Sequence, residues 1–335
     1  MPLPAVMQEF VDDPEGFSKK TLISPSDISL TFLGAGAATI DSGPSTGATK
    51  TNVKVYESGT GSKDDLLNVD PSSRICFADF FKGFGDDDAR NGYKVRFYPY
   101  NVLPSGRRGD FLPCWYLPYM PDRLTKLTLR PEPTLAGGAD PNFFFTASLS
   151  GCSVFVTGTP RQPTIFHGCL SGDRNDLKIT GRTVPGEEYL QYLFEQKSGA
   201  TSGYYNIDKN EYSSQSLVYQ EFEKFIKDEH RGKMEIREVR DMGAVFGWRK
   251  PDGLWHIFLQ RQARVTYYKI LKPKGSYKHS ILGKQFGERK EDKLAKDQHG
   301  AVESFFCDAP VAMLEIFPAG PGSGMFTKEF KPLKS

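Results

Sequence analysis

Apolar residues in the middle of this chain come in short runs bounded by Gly, Pro, Asn and Asp, a pattern typical of β-strands. The runs are rich in Phe, Tyr, Val, Ile and Thr, the residues that fit a pleated sheet surface best. From Val53 onward they predict a strand-rich domain. The clearest runs are Lys94–Tyr98, Asn142–Ala147, Cys152–Gly158 and Thr164–His167.

Two later segments, Glu187–Gln196 and Ser216–Glu229, show helical periodicity instead. In each, the apolar side chains recur at spacings of three and four, so they fall on one face of a helix. Both predicted helices are amphipathic, and we expect them to lie against a sheet. The apolar faces consist of Leu190, Leu193 and Phe194 in the first helix, and of Val218, Phe222, Phe225 and Ile226 in the second.

A third stretch predicts an antiparallel meander. The turn sequence Pro251-Asp252-Gly253 lies between two apolar runs, which indicates a β-hairpin. We expect Ala244–Trp248 and Leu254–Gln260 to form its strands. Ala263–Leu271 is predicted as a separate third strand.

The N-terminal region differs from the rest in composition. Gly, Ser, Thr and Ala crowd residues 34–63, which is typical of a linker. We therefore expect residues 1–55 to form a flexible leader with little core. Residues 56–335 are predicted to form a single domain.

The charge balance is close to neutral, with 43 Lys and Arg against 41 Asp and Glu. Nucleic-acid binding by the whole chain is disfavoured, because it needs a strong positive excess. No apolar stretch approaches the ~18 residues of a membrane-spanning helix. No basic region followed by an apolar segment marks a secretory signal. We therefore expect neither a membrane span nor a Sec signal.

Positive charge is nevertheless concentrated in residues 269–296. This segment holds eight Lys and one Arg against three acidic residues. A solvated loop explains such a composition, and so does a docking surface for an acidic partner. The sequence leaves both interpretations open, the loop being the simpler one.

Neither the cysteines nor the histidines are spaced like metal ligands. The cysteines are odd in number and lack paired spacing, which argues against a disulfide framework and a zinc ribbon. His256 lies in an apolar strand and is expected to be a hydrogen-bonded structural residue. We expect no metal and no organic cofactor. The cysteines are Cys76, Cys114, Cys152, Cys169 and Cys307.

One cysteine and one histidine fall within a single predicted hairpin. If its strands pair around a turn at Thr159–Pro160, Cys152 lies directly opposite His167. Directly opposed residues have Cβ atoms only ~4.5–5.5 Å apart and on one face, close enough for a thiolate and an imidazolium to pair. Pro163 fits this arrangement only if its strand lies at a sheet edge or bulges.

A histidine beside a cysteine lowers the pKa of the thiol and then carries its proton to a leaving group. Gly151 leaves room for a substrate carbonyl, and the turn from Ser150 to Cys152 offers backbone N–H groups as an oxyanion hole. Thr146 and Ser150 are hydroxyls close enough to orient the imidazole of His167. Spacing alone supports two interpretations equally well. One is this catalytic pair, and the other is a buried structural thiol beside a core histidine.

Residues 111–168 resemble the catalytic core of the cytotoxic necrotizing factor family of glutamine deamidases. The resemblance runs from the Phe111–Pro118 segment through Leu149-Ser150-Gly151-Cys152 to His167. The separation of fifteen residues between Cys152 and His167 fits this family. A Thr six residues before the Cys, here Thr146, is shared with the more distant lethal-factor and chemotaxis-receptor deamidases.

The resemblance implies a fold, an activity and a set of site residues. The fold is an α+β domain with a central β-sandwich of mixed sheets flanked by helices and long loops. Cys152 is the nucleophile and His167 the acid and base. Ser150 and Thr146 are active-site neighbours, and a backbone carbonyl from Tyr116–Met120 orients the histidine.

The resemblance also implies a substrate and a setting. The family deamidates, and can transglutaminate, the switch glutamine of host Rho-family GTPases, which locks them in the GTP state. The family's toxins carry this domain at the end of a longer chain that also holds binding and translocation regions. This sequence lacks those regions, and we therefore expect a free-standing, monomeric effector. It is secreted or injected without a Sec signal, by a contractile injection system that reads the leader, and it acts in the host cytoplasm.

Three other functions stay open. In the first alternative, the substrate glutamine belongs to another host protein, such as a translation factor. A cysteine protease is a second rival, although the papain-like separation of Cys and His is far longer. The third rival is a non-catalytic β-sandwich binding module, in which replacing Cys152 changes only stability.

Overall fold

The structure is a computed structural model that describes the chain in thirteen segments. None of the described helices is long and apolar enough to cross a membrane. The described residues are 3–25, 55–57, 66–69, 75–81, 92–99, 109–119, 123–129, 141–170, 177–200, 203–213, 234–270, 302–318 and 326–327.

Helices and strands alternate irregularly along these segments. The helices are α1 (Ala5–Asp12), α2 (Pro14–Lys20), α3 (Gly186–Ser198) and α4 (Lys209–Tyr212). The strands are β1 (Leu22–Pro25), β2 (Val55–Glu57), β3 (Leu66–Val69), β4 (Ile75–Phe81), β5 (Gly92–Pro99), β6 (Leu112–Leu117), β7 (Arg123–Thr128), β8 (Phe143–Thr146), β9 (Ser153–Thr159), β10 (Gln162–Cys169), β11 (Lys178–Ile179), β12 (Arg182–Thr183), β13 (Tyr205–Ile207), β14 (Met234–Arg249), β15 (Trp255–Ile270), β16 (Val302–Phe317) and β17 (Phe326–Thr327).

Most of these strands form two sheets. The large sheet has nine strands in the order β1-β5-β4-β6-β8-β14-β15-β16-β17. The small sheet has six strands in the order β13-β9-β10-β7-β3-β2. The pairs β1–β5, β6–β8 and β3–β7 are parallel and the others antiparallel, so both sheets are mixed. β11 and β12 form a separate short ribbon.

The two sheets pack face to face, and side-chain alternation along the strands divides the core into layers. Phe144 of β8 packs between the sheets, whereas Phe143 and Phe145 belong to the layer on the opposite face of the large sheet. In β6, Trp115 packs between the sheets and Tyr116 on the opposite face. Strands buried on both faces need continuous apolar sequence, which explains why these runs do not alternate with polar residues.

Helix α3 covers the outer face of the small sheet, as its predicted apolar face implies. Leu190, Leu193 and Phe194 are buried there, and the Phe194 ring stacks on Phe155 of β9 with ring centroids 4.5 Å apart. The prediction of this helix is confirmed. So is the prediction of a sandwich of mixed sheets with helices outside it.

Helices α1 and α2 cover the outer face of the large sheet, which corrects the predicted leader. Met7, Phe10 and Phe17 are buried in the core against this face. β1 then pairs in parallel with β5 at the edge of the sheet. The prediction of a coreless segment over residues 1–55 is wrong for residues 4–25, because apolar side chains spaced among the acidic residues form the inner faces of two helices.

Two buried glutamines of β15 attach this N-terminal segment to the large sheet. Gln260 accepts a hydrogen bond from the Ile23 N–H at 2.9 Å and donates to the carbonyls of Ser18 at 2.6 Å and Thr21 at 2.9 Å. Gln262 donates to the Ile23 carbonyl at 2.6 Å. The two side chains thereby satisfy backbone groups that are buried away from water.

β15 is one strand of 16 residues, not the two separate strands that the sequence predicts over Leu254–Gln260 and Ala263–Leu271. The polar triplet Gln260-Arg261-Gln262 interrupts the apolar run and so resembles a turn. In the structure its two glutamines bind backbone instead. The hairpin itself is confirmed, since β14 and β15 pair up to Arg249 and Trp255 on either side of the predicted turn. The third strand of the meander is β16.

Several predictions concern parts of the chain outside the described residues. These are the second amphipathic helix, Ser216–Glu229, the Gly-rich stretch from residue 34 to 54, and most of the basic segment 269–296. Only Lys269 and Ile270 of the basic segment are described, as the end of β15.

We expect Gln260→Leu to destabilise the protein by about 3 kcal/mol. The substitution leaves one N–H and two carbonyls of the N-terminal segment without their side-chain partner, and each buried unsatisfied group costs roughly 1–3 kcal/mol. Urea unfolding followed by circular dichroism measures the change. The matched control is Gln196→Leu, an exposed position of α3 that should change stability by no more than about 0.5 kcal/mol. Equal stability of the two variants would contradict the anchoring role.

Candidate active site

The β9–β10 hairpin carries the predicted dyad in a register that differs from the expected one. Val154, and not Cys152, lies directly opposite His167. The turn is centred on Pro160–Arg161 instead of the predicted Thr159–Pro160. Proline explains the shift, because it is favoured at the second position of a four-residue turn and disfavoured at the third.

The two predicted catalytic residues nevertheless share one face of the hairpin. Cys152 comes one residue before Ser153, the first residue of β9, which pairs with Gly168 of β10. Cys152 and His167 are therefore diagonal neighbours, a relation in which backbones are ~7–8 Å apart and longer side chains can still meet. Cys152 packs in the cluster between the sheets, together with Leu149 and Val154.

Pro163 lies in an interior strand without a bulge, contrary to the edge or bulge that the sequence predicts. β10 pairs with β9 on one side and with β7 on the other. The Pro163 carbonyl accepts a hydrogen bond from the Leu129 N–H at 2.9 Å, so the proline nitrogen faces the same side. That side lies just past the final β7 pair, Thr128 with Thr164. The missing N–H thus removes a bond only at the end of the ladder.

A threonine of the large sheet fixes the orientation of the His167 imidazole. Thr146 Oγ1 lies 2.6 Å from His167 Nδ1 and donates a hydrogen bond to the Leu117 carbonyl at 2.8 Å. Because the hydroxyl has one proton and a carbonyl can only accept, Nδ1 must be the donor to Thr146. This chain of contacts assigns the proton to Nδ1 and leaves Nε2 as a base.

Nε2 of His167 is buried, and it has no hydrogen-bond partner among the described residues. His167 has no exposed surface. Burial lowers the pKa of His167 from its ordinary 6.5 to about 3, because a charged imidazole is poorly solvated between the sheets. The resting imidazole is therefore neutral, and the thiolate–imidazolium pair expected from the sequence is not the resting state.

No backbone carbonyl of the described residues 116–119 binds the imidazole of His167, in contrast to the carbonyl that the family resemblance implies. Leu117, which ends β6, and Pro118, which follows it, contact threonine hydroxyls next to the histidine. Leu117 acts through Thr146, as described above. Thr125 lies directly opposite His167 in β7, and its hydroxyl is 2.7 Å from the Pro118 carbonyl and 3.2 Å from the His167 carbonyl, so its one proton is shared between these two acceptors. Sequence reasoning missed Thr125, since only the pairing of β7 with β10 brings it beside the histidine.

The nucleophile candidate lies behind a small exposed turn. Ser150 and Gly151 are exposed, whereas Cys152 keeps only 5% of its surface accessible. Gly151 adopts φ 118°, a conformation that side chains disfavour, and a Cβ there would meet no atom within 4 Å. The predicted contact of Ser150 with the imidazole is not seen, because the ring's hydroxyl partner is Thr146.

Tyr212, the last residue of α4, occupies one of the predicted oxyanion donors. Its hydroxyl accepts the Gly151 N–H at 2.7 Å and donates to the Cys152 carbonyl at 3.3 Å. The Gly151 N–H is therefore not available to a substrate, which corrects the oxyanion hole predicted over Ser150–Cys152. Sixty residues separate Tyr212 from Cys152, and no local pattern in the sequence pointed to it.

The other described cysteines are placed differently from Cys152. Cys76 and Cys114 lie opposite each other in β4 and β6, on the face of the large sheet that α1 and α2 cover. Burial, and secondarily the neighbouring Cys76, raise the pKa of Cys114 well above its ordinary range. Such thiols react slowly with alkylating reagents. Cys169, at the end of β10, is half-buried.

His256 is hydrogen-bonded within its sheet, as the sequence predicts. His256 Nδ1 lies 2.6 Å from Glu315 Oε1 on the neighbouring strand β16, and both side chains are half-buried. In the described part of the chain, no group of three or more His, Cys, Asp or Glu side chains is arranged to hold a metal ion.

Comparison with known proteins does not assign a family to this chain. No protein-family model matches the sequence, and no curated protein is significantly similar to it. The geometry around Cys152 and His167 is therefore the main observation that bears on function.

We expect His167 to be neutral and protonated at Nδ1 near pH 7. In two-dimensional nitrogen–proton NMR of histidine-labelled protein, Nδ1 should give the shift of a protonated ring nitrogen and Nε2 that of an unprotonated one. The pattern should persist down to about pH 4, because burial lowers the pKa of His167 to about 3. Thr146→Val should disturb this tautomer preference. A doubly protonated ring at pH 6 contradicts the assignment.

The same group should make stability depend on pH. The folded-state pKa of His167 lies below the unfolded value of 6.5, so the unfolded chain binds the proton first as the pH falls. Its stabilising contribution is complete above pH 6.5 and declines from there toward pH 3, by at most about 1.4 kcal/mol per pH unit. Urea midpoints measured between pH 7 and pH 4 should fall less steeply in His167→Gln than in the wild type.

Proposed function

We propose that this chain is a protein-glutamine deamidase of the cytotoxic necrotizing factor type, with Cys152 as nucleophile and His167 as acid and base. The observation that carries the proposal is the buried Nε2 of His167, which has no partner in the described structure and belongs to a side chain on the same face of the hairpin as Cys152. Buried polar atoms are normally hydrogen-bonded, so an unpartnered ring nitrogen on the same face as a cysteine is available to act as a base toward that thiol. The Leu149-Ser150-Gly151-Cys152 motif supplies the reaction class.

In the first half of the reaction, Nε2 takes the proton of the Cys152 thiol while the sulfur attacks the carboxamide carbon of a glutamine. A C–S bond forms, and the carbonyl oxygen becomes an oxyanion. Expulsion of the nitrogen breaks the C–N bond, and the imidazolium gives its proton to the departing ammonia. The product of this half is a thioester with Cys152.

In the second half, Nε2 takes a proton from water as the water oxygen attacks the thioester. The C–S bond breaks, and the imidazolium returns the proton to the sulfur. A glutamate side chain is released, and the enzyme regains its resting state. A primary amine in place of water gives transglutamination by the same steps.

Thr146 keeps its role through both halves. Its hydroxyl accepts the Nδ1–H in the neutral and in the charged ring, while its own proton stays hydrogen-bonded to the Leu117 carbonyl. The low pKa of the buried imidazole favours release of the proton to ammonia but opposes its uptake from the thiol, so the proposal requires that the thiolate formed beside the ring stabilise the imidazolium. Thiolate and imidazolium form together, so neither buried charge stands alone.

The burial of Cys152 favours a side-chain amide over a peptide bond as substrate. Only 5% of the residue is exposed, behind the turn at Ser150 and Gly151. The carboxamide of a glutamine ends a slender, flexible side chain and can enter a narrow opening. A main-chain amide reaches such a sulfur only if flanking residues are buried with it. This distinguishes the proposal from a cysteine protease.

The proposed substrate is the switch glutamine of a host Rho-family GTPase. The support is the motif resemblance, with its fifteen-residue separation of Cys152 and His167. This glutamine orients the hydrolytic water in GTPases, so its conversion to glutamate stops GTP hydrolysis and holds the GTPase active. A glutamine of another host protein, such as a translation factor, is the alternative substrate.

A non-catalytic binding module is the rival from another functional class. In His167 only Nδ1 has a described partner. Ser153 Oγ and Trp255 Nε1 are also buried without a partner in the described structure, so Nε2 favours catalysis only in combination with Cys152 on the same face of the hairpin.

The proposed setting is injection without a Sec signal, with action by a monomer in the host cytoplasm. Delivery by a contractile injection system remains part of the proposal, with one restriction. Residues 4–25 contribute two helices and an edge strand to the folded domain, so they cannot act as a detachable leader. The docking role proposed for the basic segment 269–296 concerns residues almost all outside the described part.

We expect purified Rho-family GTPases to gain the small mass of a glutamine-to-glutamate change at the switch residue when incubated with this protein. Peptide mass spectrometry identifies the residue. Cys152→Ser and His167→Gln should each lower the rate by about 1,000-fold or more, because nucleophile and proton carrier are lost. Cys169→Ser, a half-buried thiol on the same hairpin, is the matched control and should keep the rate within about twofold.

Unchanged GTPases, with Cys152 still alkylated ahead of the other thiols, would reject the substrate but not the chemistry, and the same assay then moves to a host-cell lysate. Deamidation by Cys152→Ser at the wild-type rate would remove the proposed nucleophile altogether.

We expect Thr146→Val to lower kcat by about 10- to 100-fold and to leave KM unchanged within about twofold. The variant keeps the shape of the side chain but removes the acceptor of the Nδ1–H, and misplaced catalytic groups cost this much. Thr146→Ser retains the hydroxyl and should keep kcat within about threefold. Steady-state ammonia release measures both constants. Equal rates for the Val and Ser variants contradict the role of the hydroxyl.

A further inference from the structure

Tyr212 lies beneath the nucleophile turn and is almost completely buried, with 1% of its surface exposed. It ends α4, a single helical turn whose N-cap Asp208 accepts the Asn210 N–H at 2.8 Å. Its hydroxyl is within hydrogen-bond distance of both the Gly151 N–H and the Cys152 carbonyl. One side chain thus binds the backbone on both sides of the peptide that leads into Cys152.

A glycine of β14 makes room for this tyrosine. A Cβ on Gly243 would lie 3.3 Å from both Cβ and Cγ of Tyr212, closer than most side chains approach. Gly243 also exchanges two backbone hydrogen bonds with Leu149, at 2.7 Å and 3.0 Å. The same residue of the large sheet therefore admits Tyr212 and binds the chain three residues before Cys152.

The backbone of the turn is bound at two of its atoms. Gly151 has φ 118°, so the N–H of Gly151 and the carbonyl of Cys152 converge on one hydroxyl. Burial raises the pKa of Tyr212, so its hydroxyl keeps the proton that it donates to the Cys152 carbonyl. A phenylalanine ring fills the same space without either bond.

We propose that Tyr212 is a positioning residue that holds the Gly151–Cys152 turn so that the Cys152 sulfur is directed toward His167 Nε2. The proposal rests on the proposed function in treating Cys152 and His167 as one reactive pair. Tyr212 touches backbone atoms only, so it acts through Cys152. Its contribution concerns the geometry of the pair and is separate from the identity of the substrate.

The test is a double-mutant cycle on the alkylation of Cys152 by iodoacetamide, followed by peptide mass spectrometry. Tyr212→Phe is made in the wild type and in His167→Gln, with Thr146→Val as a second background in case His167→Gln does not fold. We expect Tyr212→Phe to slow alkylation by about tenfold in the wild-type background and by less than about twofold in either variant background, where proton transfer is already impaired. A role in stability alone changes all backgrounds by the same factor, and that result overturns the proposal.

The matched control is Tyr204→Phe, which removes a hydroxyl that binds Gln191 and Glu195 on the α3 side of the small sheet. It should leave alkylation of Cys152 unchanged. Deamidation assays separate the two proposals: if GTPases are modified equally fast by wild type and Tyr212→Phe, the positioning role is wrong and the proposed function stands. If no GTPase is modified but the alkylation cycle shows coupling, the positioning role stands and the proposed substrate is wrong.

Discussion

The hydrogen bond between Thr146 and His167 connects the two sheets, and the rest of the site depends on it. Thr146 ends β8 in the large sheet, and His167 lies in an interior strand of the small sheet. The imidazole is therefore oriented by the opposite sheet and not by its own hairpin. Facing sheets pack about 10 Å apart, and a change of one ångström in that spacing breaks a 2.6 Å contact. The chemistry of Nε2 is thus set by how well the core between the sheets is packed.

Each sheet keeps its place because both of its faces are covered. The layer between the sheets is filled by large apolar side chains such as Trp115, Phe144 and Ile165. The outer faces are covered by α3 on one side and by α1 and α2 on the other. The N-terminal segment therefore belongs to the structure that fixes the sheet spacing. Gln260 and Gln262 hold it in place, which is a specific attachment in place of general apolar contact.

The two reactive residues receive their positions from different kinds of element. His167 is held by strand pairing on both sides and by a hydroxyl above it. Cys152 lies in a turn whose backbone is bound by Tyr212 and, through Leu149, by β14. A turn can adapt when a thioester forms on the sulfur, whereas the rigid strand keeps the proton carrier in one orientation.

The sequence alone determined the features that depend on neighbouring residues. It predicted the strands that became β8, β9, β10, β14 and part of β15, the helix α3, and the placement of Cys152 and His167 on one hairpin, because periodicity and turn residues act locally. The turn register was wrong by two residues, although the position of Pro160 in the turn already favours the observed pairing.

Tertiary structure decided the features that depend on distant segments. The contact of Thr146 with His167 requires two sheets to face each other, and the role of Tyr212 requires α4 to lie beside β14, sixty residues after the nucleophile. The glutamines of β15 read as a break in a strand until the N-terminal backbone that they bind is known. Each of these polar groups is buried and finds its partner far along the chain, and the pairing of buried polar groups follows from the packing of the whole fold, which local sequence patterns do not encode.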